Sequence, residues 1–282
     1  MIGQGPSRKE ADSFRHTCEF CNQVIEPLSQ SIGDKVFYFK DQCQCDAATK
    51  ERANRERLIE DEFLKDKYRD YIKRAGGIHT GRYSRMTFED WDIARHAKAQ
   101  KHLNDVVEFC TTYNHERNLL WLWGEYGTGK THLALAALRK LVWDEVVTIE
   151  KADGYRMSNP TLHFTEWVIH CSKVQQSWDK ESDEDEGRLW RVMNSVMFLA
   201  IDDIDKRMPS EWAMGKLYEV LHHRYMNEKL TIITANHSLS QLDNVWTQRG
   251  GYVADIGSAI LSRITGQLWA EVEIVGGDQR AR

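Results

Sequence analysis

The sequence predicts an α/β protein, a mostly parallel sheet covered by helices, preceded by a small cysteine-rich module and one long helix. Three observations carry that reading. Short apolar runs, Asn118–Trp123, Val196–Ile201 and Leu230–Ala235, alternate with segments of helical spacing. Runs this rich in apolar residues suit strands buried on both faces of a parallel sheet. The 282 residues are 41% hydrophobic and 29% charged, ordinary globular values that exclude wholesale disorder. Four of the six cysteines crowd into residues 18–45.

Composition excludes other classes. With 18 Gly and 4 Pro the chain is not collagen-like. Its apolar runs fall far short of the roughly 18–20 residues of a membrane span, and Met1 to Phe14 lacks the apolar stretch of a secretory signal. A soluble cytoplasmic protein with no membrane partner is expected. A net charge of −5 argues against coating nucleic acid over the whole surface and leaves room for a local basic patch. In a reducing cytosol the cysteines argue for metal rather than disulfides.

The first module, residues 1–45, holds Cys18-x-x-Cys21, 21 intervening residues, and Cys43-x-Cys45. Between the pairs, Lys35–Lys40 reads as a strand after a turn at Ile32-Gly33-Asp34. Two close pairs of thiolates suit tetrahedral Zn²⁺ in a ribbon-like site, with Cys18, Cys21, Cys43 and Cys45 as ligands and His16 as a substitute for one of them. Cys110 and Cys171 stand apart and are expected to fill the core. Residues 46–80 form a helical linker. Asp46–Arg74 is heavily charged, free of Gly and Pro, and carries Leu58/Ile59, Phe63/Leu64, Tyr68 and Tyr71/Ile72 at helical spacing until Ala75-Gly76-Gly77. The stretch from Lys73-Arg74 to Arg85, with His79, Arg82 and Tyr83, is basic; it reads as an interdomain linker or as a single-stranded DNA contact with a stacking Tyr83.

Residues 81–282 form the α/β domain. Asn118–Trp123 is a strand followed by a glycine-rich loop and a helix over Thr131–Val142. Leu162–Phe164 reads as a strand leading into a helix through about Trp178, and Asp179–Glu186, six acids in eight residues, as a solvated loop. Val196–Ile201 is a strand, Trp212–Arg224 a helix and Leu230–Ala235 a strand. Leu268, Ala270, Val272 and Ile274 alternate with polar or large residues at period two.

The strongest chemical signal is Gly124-Glu125-Tyr126-Gly127-Thr128-Gly129-Lys130-Thr131, the full G-x-x-x-x-G-K-[ST] phosphate loop in its strand–loop–helix context. Glycines let backbone N–H groups face a phosphate chain, and the helix N-terminus adds positive potential. Lys130 is expected to reach the β- and γ-phosphates of ATP, and Thr131 to ligate Mg²⁺. Asp202, ending an apolar strand, is the expected Mg²⁺ partner, and Asp203 is placed to orient or deprotonate water. Asn236, at the end of Thr231–Ala235, is positioned to hold that water or merely to serve the turn.

Together Leu119–Ala134, Ile201-Asp-Asp203, Ile233-Thr-Ala-Asn236 and Leu261-Ser-Arg263 resemble the AAA+ ATPases of the DnaC/DnaI helicase-loader and IstB transposition-helper group, over about residues 82–282. The resemblance implies a P-loop AAA+ domain with no full lid domain, since few residues follow the last strand. It implies that His132, in Lys-Thr-His-Leu-Ala, belongs with the nucleotide-binding residues, that Asn236 is the sensor I residue, that Arg263 is an arginine finger acting on the neighbour's ATP in a homo-oligomer, and that Arg280 falls where the group places sensor II. Tyr83 to Phe88 is similar to the segment that lies near the base. Asp203 departs from the commoner glutamate and is one methylene shorter. The implied function is ATP hydrolysis coupled to loading or remodelling a replicative hexameric helicase in DNA replication, with the zinc module engaging the helicase and single-stranded DNA as a further partner. The same motifs fit a transposition helper whose partner is a transposase. A zinc-based adaptor without turnover is a third reading, opposed by the intact Lys130, Thr131, Asp202 and Asp203.

Overall fold

The structure, a computed structural model, describes residues 12–32, 35–75, 78–151, 161–178, 185–206 and 210–278, without the side chains of residues 32, 35, 150 and 151. The chain divides into two compact units, residues 1–65 and 66–282, with the division falling inside the long helix α1 (Asp46–Arg74). Among the described residues no helix is long and apolar enough to cross a membrane.

The first unit is built from two antiparallel hairpins, β1 (His16–Thr17) with β2 (Val24–Ile25) and β3 (Leu28–Ile32) with β4 (Lys35–Phe39). Among its described residues the buried cluster is Cys18, Ile25, Cys43 and Ala48, with Cys45 against it. Modules this small usually draw on a cross-link or metal for stability.

The second unit is the expected α/β domain. Its sheet has strands β5 (Leu119–Trp123), β6 (Leu162–Glu166), β7 (Phe198–Asp202), β8 (Thr231–Ala235) and β9 (Leu268–Glu273), in the order β6-β7-β8-β5-β9 and all parallel. Every residue of β7 and β8 is buried, Asp202, Thr231 and Thr234 included, as strands covered on both faces require. The helices are α2 (Ala99–Thr112), α3 (Lys130–Lys151), α4 (Trp167–Gln176), α5 (Glu186–Ser195), α6 (Glu211–Met226), α7 (Leu239–Arg249) and α8 (Gly251–Gly266). Helical periodicity marks α3, α4 and α6 and leaves α2, α5, α7 and α8 unmarked; α5 begins at Glu186, the last residue of the run read as a loop. Helices α7 and α8 are separated only by Gly250, at φ 68°, which breaks the helical pattern. Cys110 is buried and Cys171 packs at the edge of the core, in keeping with space-filling thiols.

Parallel pairing places the C-terminal ends of β5, β7 and β8 on one rim of the sheet, where loops converge to bind ligands. That geometry assembles the site. Residues 179–184 of the acidic run lie outside the described residues; Asp185 caps α5 by accepting from the Gly187 and Arg188 N–H groups.

Candidate nucleotide site and cysteine centre

The loop between β5 and α3 turns through glycines at positive φ, 145° at Gly124 and 75° at Gly127. A Cβ on Gly124 would strike the Ile274 carbonyl, so the close approach of the C-terminal segment demands glycine there. Lys130 is 5% exposed. Its Nζ donates to the Gly124 and Glu125 carbonyls at 2.9 and 2.8 Å and to Asn236 Oδ1 at 3.3 Å. An ammonium so placed lies beneath the loop and beside the end of β8. The Thr131 hydroxyl sits 2.9 and 3.0 Å from the two Asp202 carboxylate oxygens, and Thr234 Oγ1 donates to Asp202 at 2.6 Å. Burial pushes the Asp202 carboxyl up to about 6, aided by the charges of Asp203 and Glu166 and opposed by the Thr234 and Thr131 hydroxyls. A buried hydroxyl–carboxylate pair next to a phosphate loop is the donor set a hard divalent cation takes. The residues present fit Mg²⁺.

Asp203 adopts φ 52°, uncommon for a residue with a side chain and tolerated best by Asn and Asp. Its N–H donates to Thr234 Oγ1 at 2.9 Å, and its carboxylate pairs with Lys206 Nζ at 2.9 Å. Lys206 also lies 3.6 Å from Glu166 at the end of β6, and the Asp203 carboxylate holds the Lys206 ammonium above its ordinary range.

These groups open onto a cleft of about 740 Å³ lined by Gly127, Gly129, Lys130, Thr131, Asp202 and Asp203, with Gly81, Arg82, Tyr83, Arg85, Met86, Tyr126, His132, Glu166 and Lys206 completing its walls. Its size suits a nucleotide. The wall from Gly81 to Arg85 is a single 3₁₀ turn. Arg139 on α3 donates to the Ile78 and Tyr83 carbonyls at 2.7 and 3.0 Å, fixing that wall to the helix that starts at the loop. His132 Nε2 lies 2.6 Å from the Thr87 carbonyl, with its ring edge-on to Trp91. Burial lowers its pKa, so the neutral ring donates from Nε2 and ties the segment before α2 to the phosphate loop. Tyr83 is half-buried, edge-on to Phe164, and donates to Glu166 at 2.9 Å. Its ring thus stands in the wall of the cleft.

Asn236 is held by Asp205, a residue that motif reading passes over. Arg263 lies elsewhere, on α8, with Nη2 donating to Tyr218 at 3.2 Å and its guanidinium 5.3 Å from the Tyr218 ring. Its own chain does not bring it to the phosphate loop. Arg280 lies outside the described residues. Glu166, Lys206, Arg139 and Asp205 carry no motif of their own; their signal is proximity across strands, which spacing does not reveal.

In the first unit, the Sγ atoms of Cys18, Cys21, Cys43 and Cys45 all lie within 4.8 Å of one another, with Cys18–Cys45 at 3.9 Å and Cys21–Cys43 at 3.5 Å. Four sulfurs around Zn²⁺ at about 2.3 Å stand about 3.8 Å apart, so the cluster fits a tetrahedral ion. The turn after Cys18 is closed by Asn22 N to Cys18 O and Cys18 N to Gln23 O, both 2.9 Å. Backbone N–H groups of Cys21 and Phe20 pull the Cys18 thiol down to about 6, whereas, against the Cys45 N–H, burial and the neighbouring thiols push Cys43 up to about 12; Cys18 is the thiol that most readily gives the metal-binding thiolate. His16 stands outside the cluster, its Nδ1 at the Phe14 carbonyl.

A parallel sheet with a phosphate loop after an inner strand, and an acid at the end of a strand on the same rim, defines a P-loop nucleotide-binding fold. No protein-family model and no curated protein matches the chain. Solved structures do. The DnaC helicase loader is 21% identical, with 70% of this chain and 100% of that chain covered and a TM-score of 0.50. DnaI is 19% identical over 69% of this chain and 90% of that one, TM-score 0.49. The replication initiator DnaA, bound to AMPPCP and single-stranded DNA, is 21% identical over 67% and 49%, TM-score 0.46. The α/β unit therefore has the fold of the DnaC helicase loader.

Proposed function

We propose that this protein is an ATP-hydrolysing AAA+ switch that loads or remodels a replicative DNA helicase. The observation that carries the reading is the closure of Thr131 on Asp202 beneath a complete phosphate loop, within the fold that the DnaC helicase loader has. Lys130 turns from its loop carbonyls to the β- and γ-phosphates, while the N–H groups of the loop cradle them. Thr131 and Asp202 hold Mg²⁺, which when bound offsets phosphate charge. Asp203, freed from Lys206, accepts a proton from the attacking water, and Asn236 fixes that water in line. Arg263 of a neighbouring subunit stabilises charge developing on the γ-phosphate, which makes turnover depend on assembly.

The four cysteines hold Zn²⁺ and stabilise residues 1–45 as the module that grips the helicase, joined by the linker of residues 46–80 to the ATPase domain of residues 81–282. Several subunits together build a track for single-stranded DNA, because a chain of net charge −5 is poorly suited to hold DNA tightly alone. The test is capture by the immobilised full chain. It should retain a hexameric replicative helicase and deliver it to circular single-stranded DNA with ATP, and Lys130→Ala should abolish delivery. Retention of a transposase instead of a helicase would move the reading to a transposition helper.

A further inference from the structure

The Asp205 carboxylate is almost fully enclosed, its side chain 4% exposed. It accepts from the Asn236 backbone N–H at 2.9 Å to each oxygen, from Asn236 Nδ2 at 3.0 Å, from the His237 N–H at 2.9 Å and from His237 Nδ1 at 2.7 Å. On its other side, Asn236 Oδ1 faces Lys130 Nζ at 3.3 Å. An ionised carboxylate only accepts and an ammonium only donates. The Asn236 amide therefore has one allowed orientation: its NH₂ to Asp205 and its oxygen to the phosphate loop. The reverse orientation sets oxygen against carboxylate and NH₂ against ammonium.

We propose that Asp205 is a positioning residue that fixes Asn236 as a hydrogen-bond acceptor toward the phosphates. Asn236 then serves the attacking water, not the phosphate oxygens. This inference rests on the hydrolysis reading above. Once Lys130 turns to phosphate, Oδ1 loses a donor and takes an O–H of water in its place, leaving the other water proton for Asp203. An NH₂ in that position would donate to phosphate and leave the water unaligned. His237 shares the carboxylate without touching the amide, so its loss leaves the orientation intact.

The experiment is a double-mutant cycle on the full chain. Asp205→Asn, which can present either amide group to Asn236, should lower kcat about tenfold and leave the ATP Kd within about twofold. In an Asn236→Ala background it should cost nothing further, and His237→Ala should keep kcat within about twofold of wild type. Independently, the side-chain NH₂ protons of Asn236, identified by their loss in Asn236→Ala, should exchange slowly with water in the wild-type chain and rapidly in Asp205→Asn. Equal losses from Asp205→Asn in both backgrounds, or rapid exchange in the wild-type chain, overturn the proposal. The exchange measurement decides the orientation even if Asp205→Asn does not fold. A wild-type chain without ATP turnover would instead remove the hydrolysis reading, a separate failure.

Discussion

Thr131 and Asp202 are 71 residues apart in sequence, and the Thr131 hydroxyl touches both oxygens of the Asp202 carboxylate, at 2.9 and 3.0 Å. One contact joins the first turn of the helix after the phosphate loop to the end of β7. It also buries a charge.

That burial predicts a stability trade. The Asp202 carboxyl is pushed up to about 6, against about 3.9 in an unfolded chain. The folded state holds this proton more tightly, so the group's contribution turns unfavourable as pH rises from about 4 to about 6 and stays so above. Asp202→Asn should raise the stability of the nucleotide-free chain by about 2 kcal/mol at pH 7.5, with the gain vanishing toward pH 4, while Mg²⁺-dependent turnover is lost. Thermal melts at the two pH values check this; a lower Tm for Asp202→Asn at pH 7.5 would contradict it.

Removing metal should act on the first unit alone. Purified chain should carry one Zn²⁺, and a chelator should unfold the cysteine module while the melt of the α/β unit stays in place, because the cluster of Cys18, Ile25, Cys43 and Ala48 is small and gains most from a metal. A Cys18→Ser/Cys21→Ser chain should hold no zinc. Metal analysis showing zinc unchanged in that variant would overturn the assignment.

The position of Arg263 predicts complementation. Arg263→Ala should bind ATP normally and hydrolyse it at least tenfold more slowly. Mixed with Lys130→Ala, it should regain part of the activity, since some interfaces then pair an intact loop with an intact finger. Absence of recovery at every mixing ratio would speak against a shared site.

Much of the site is legible in local sequence because its chemistry is local. The phosphate loop is one contiguous segment, Asp202 ends an unbroken apolar run, and α1 has the bounds its composition gives. What sequence leaves dark is what the sheet brings together. Asp205 meets Asn236 only because β7 lies beside β8, and Tyr83 reaches Glu166 across 83 residues of chain. Arg139 reads as one more charge on a helix until its carbonyl partners at Ile78 and Tyr83 are seen. The helices α7 and α8 escape periodicity because Gly250 and Gly251 fall between their apolar stripes.

Steady-state phosphate release with Mg²⁺ at pH 7.5, beside ATP affinity, tests most directly whether this site hydrolyses ATP. Asp203→Asn should bind ATP like the wild-type chain and turn it over about 100-fold more slowly, because it loses the water-directed carboxylate and leaves the phosphate loop intact. Lys130→Ala should lose turnover and bind ATP at least tenfold more weakly. A wild-type chain that releases no phosphate above the Lys130→Ala background, or an Asp203→Asn chain as fast as wild type, would contradict the account.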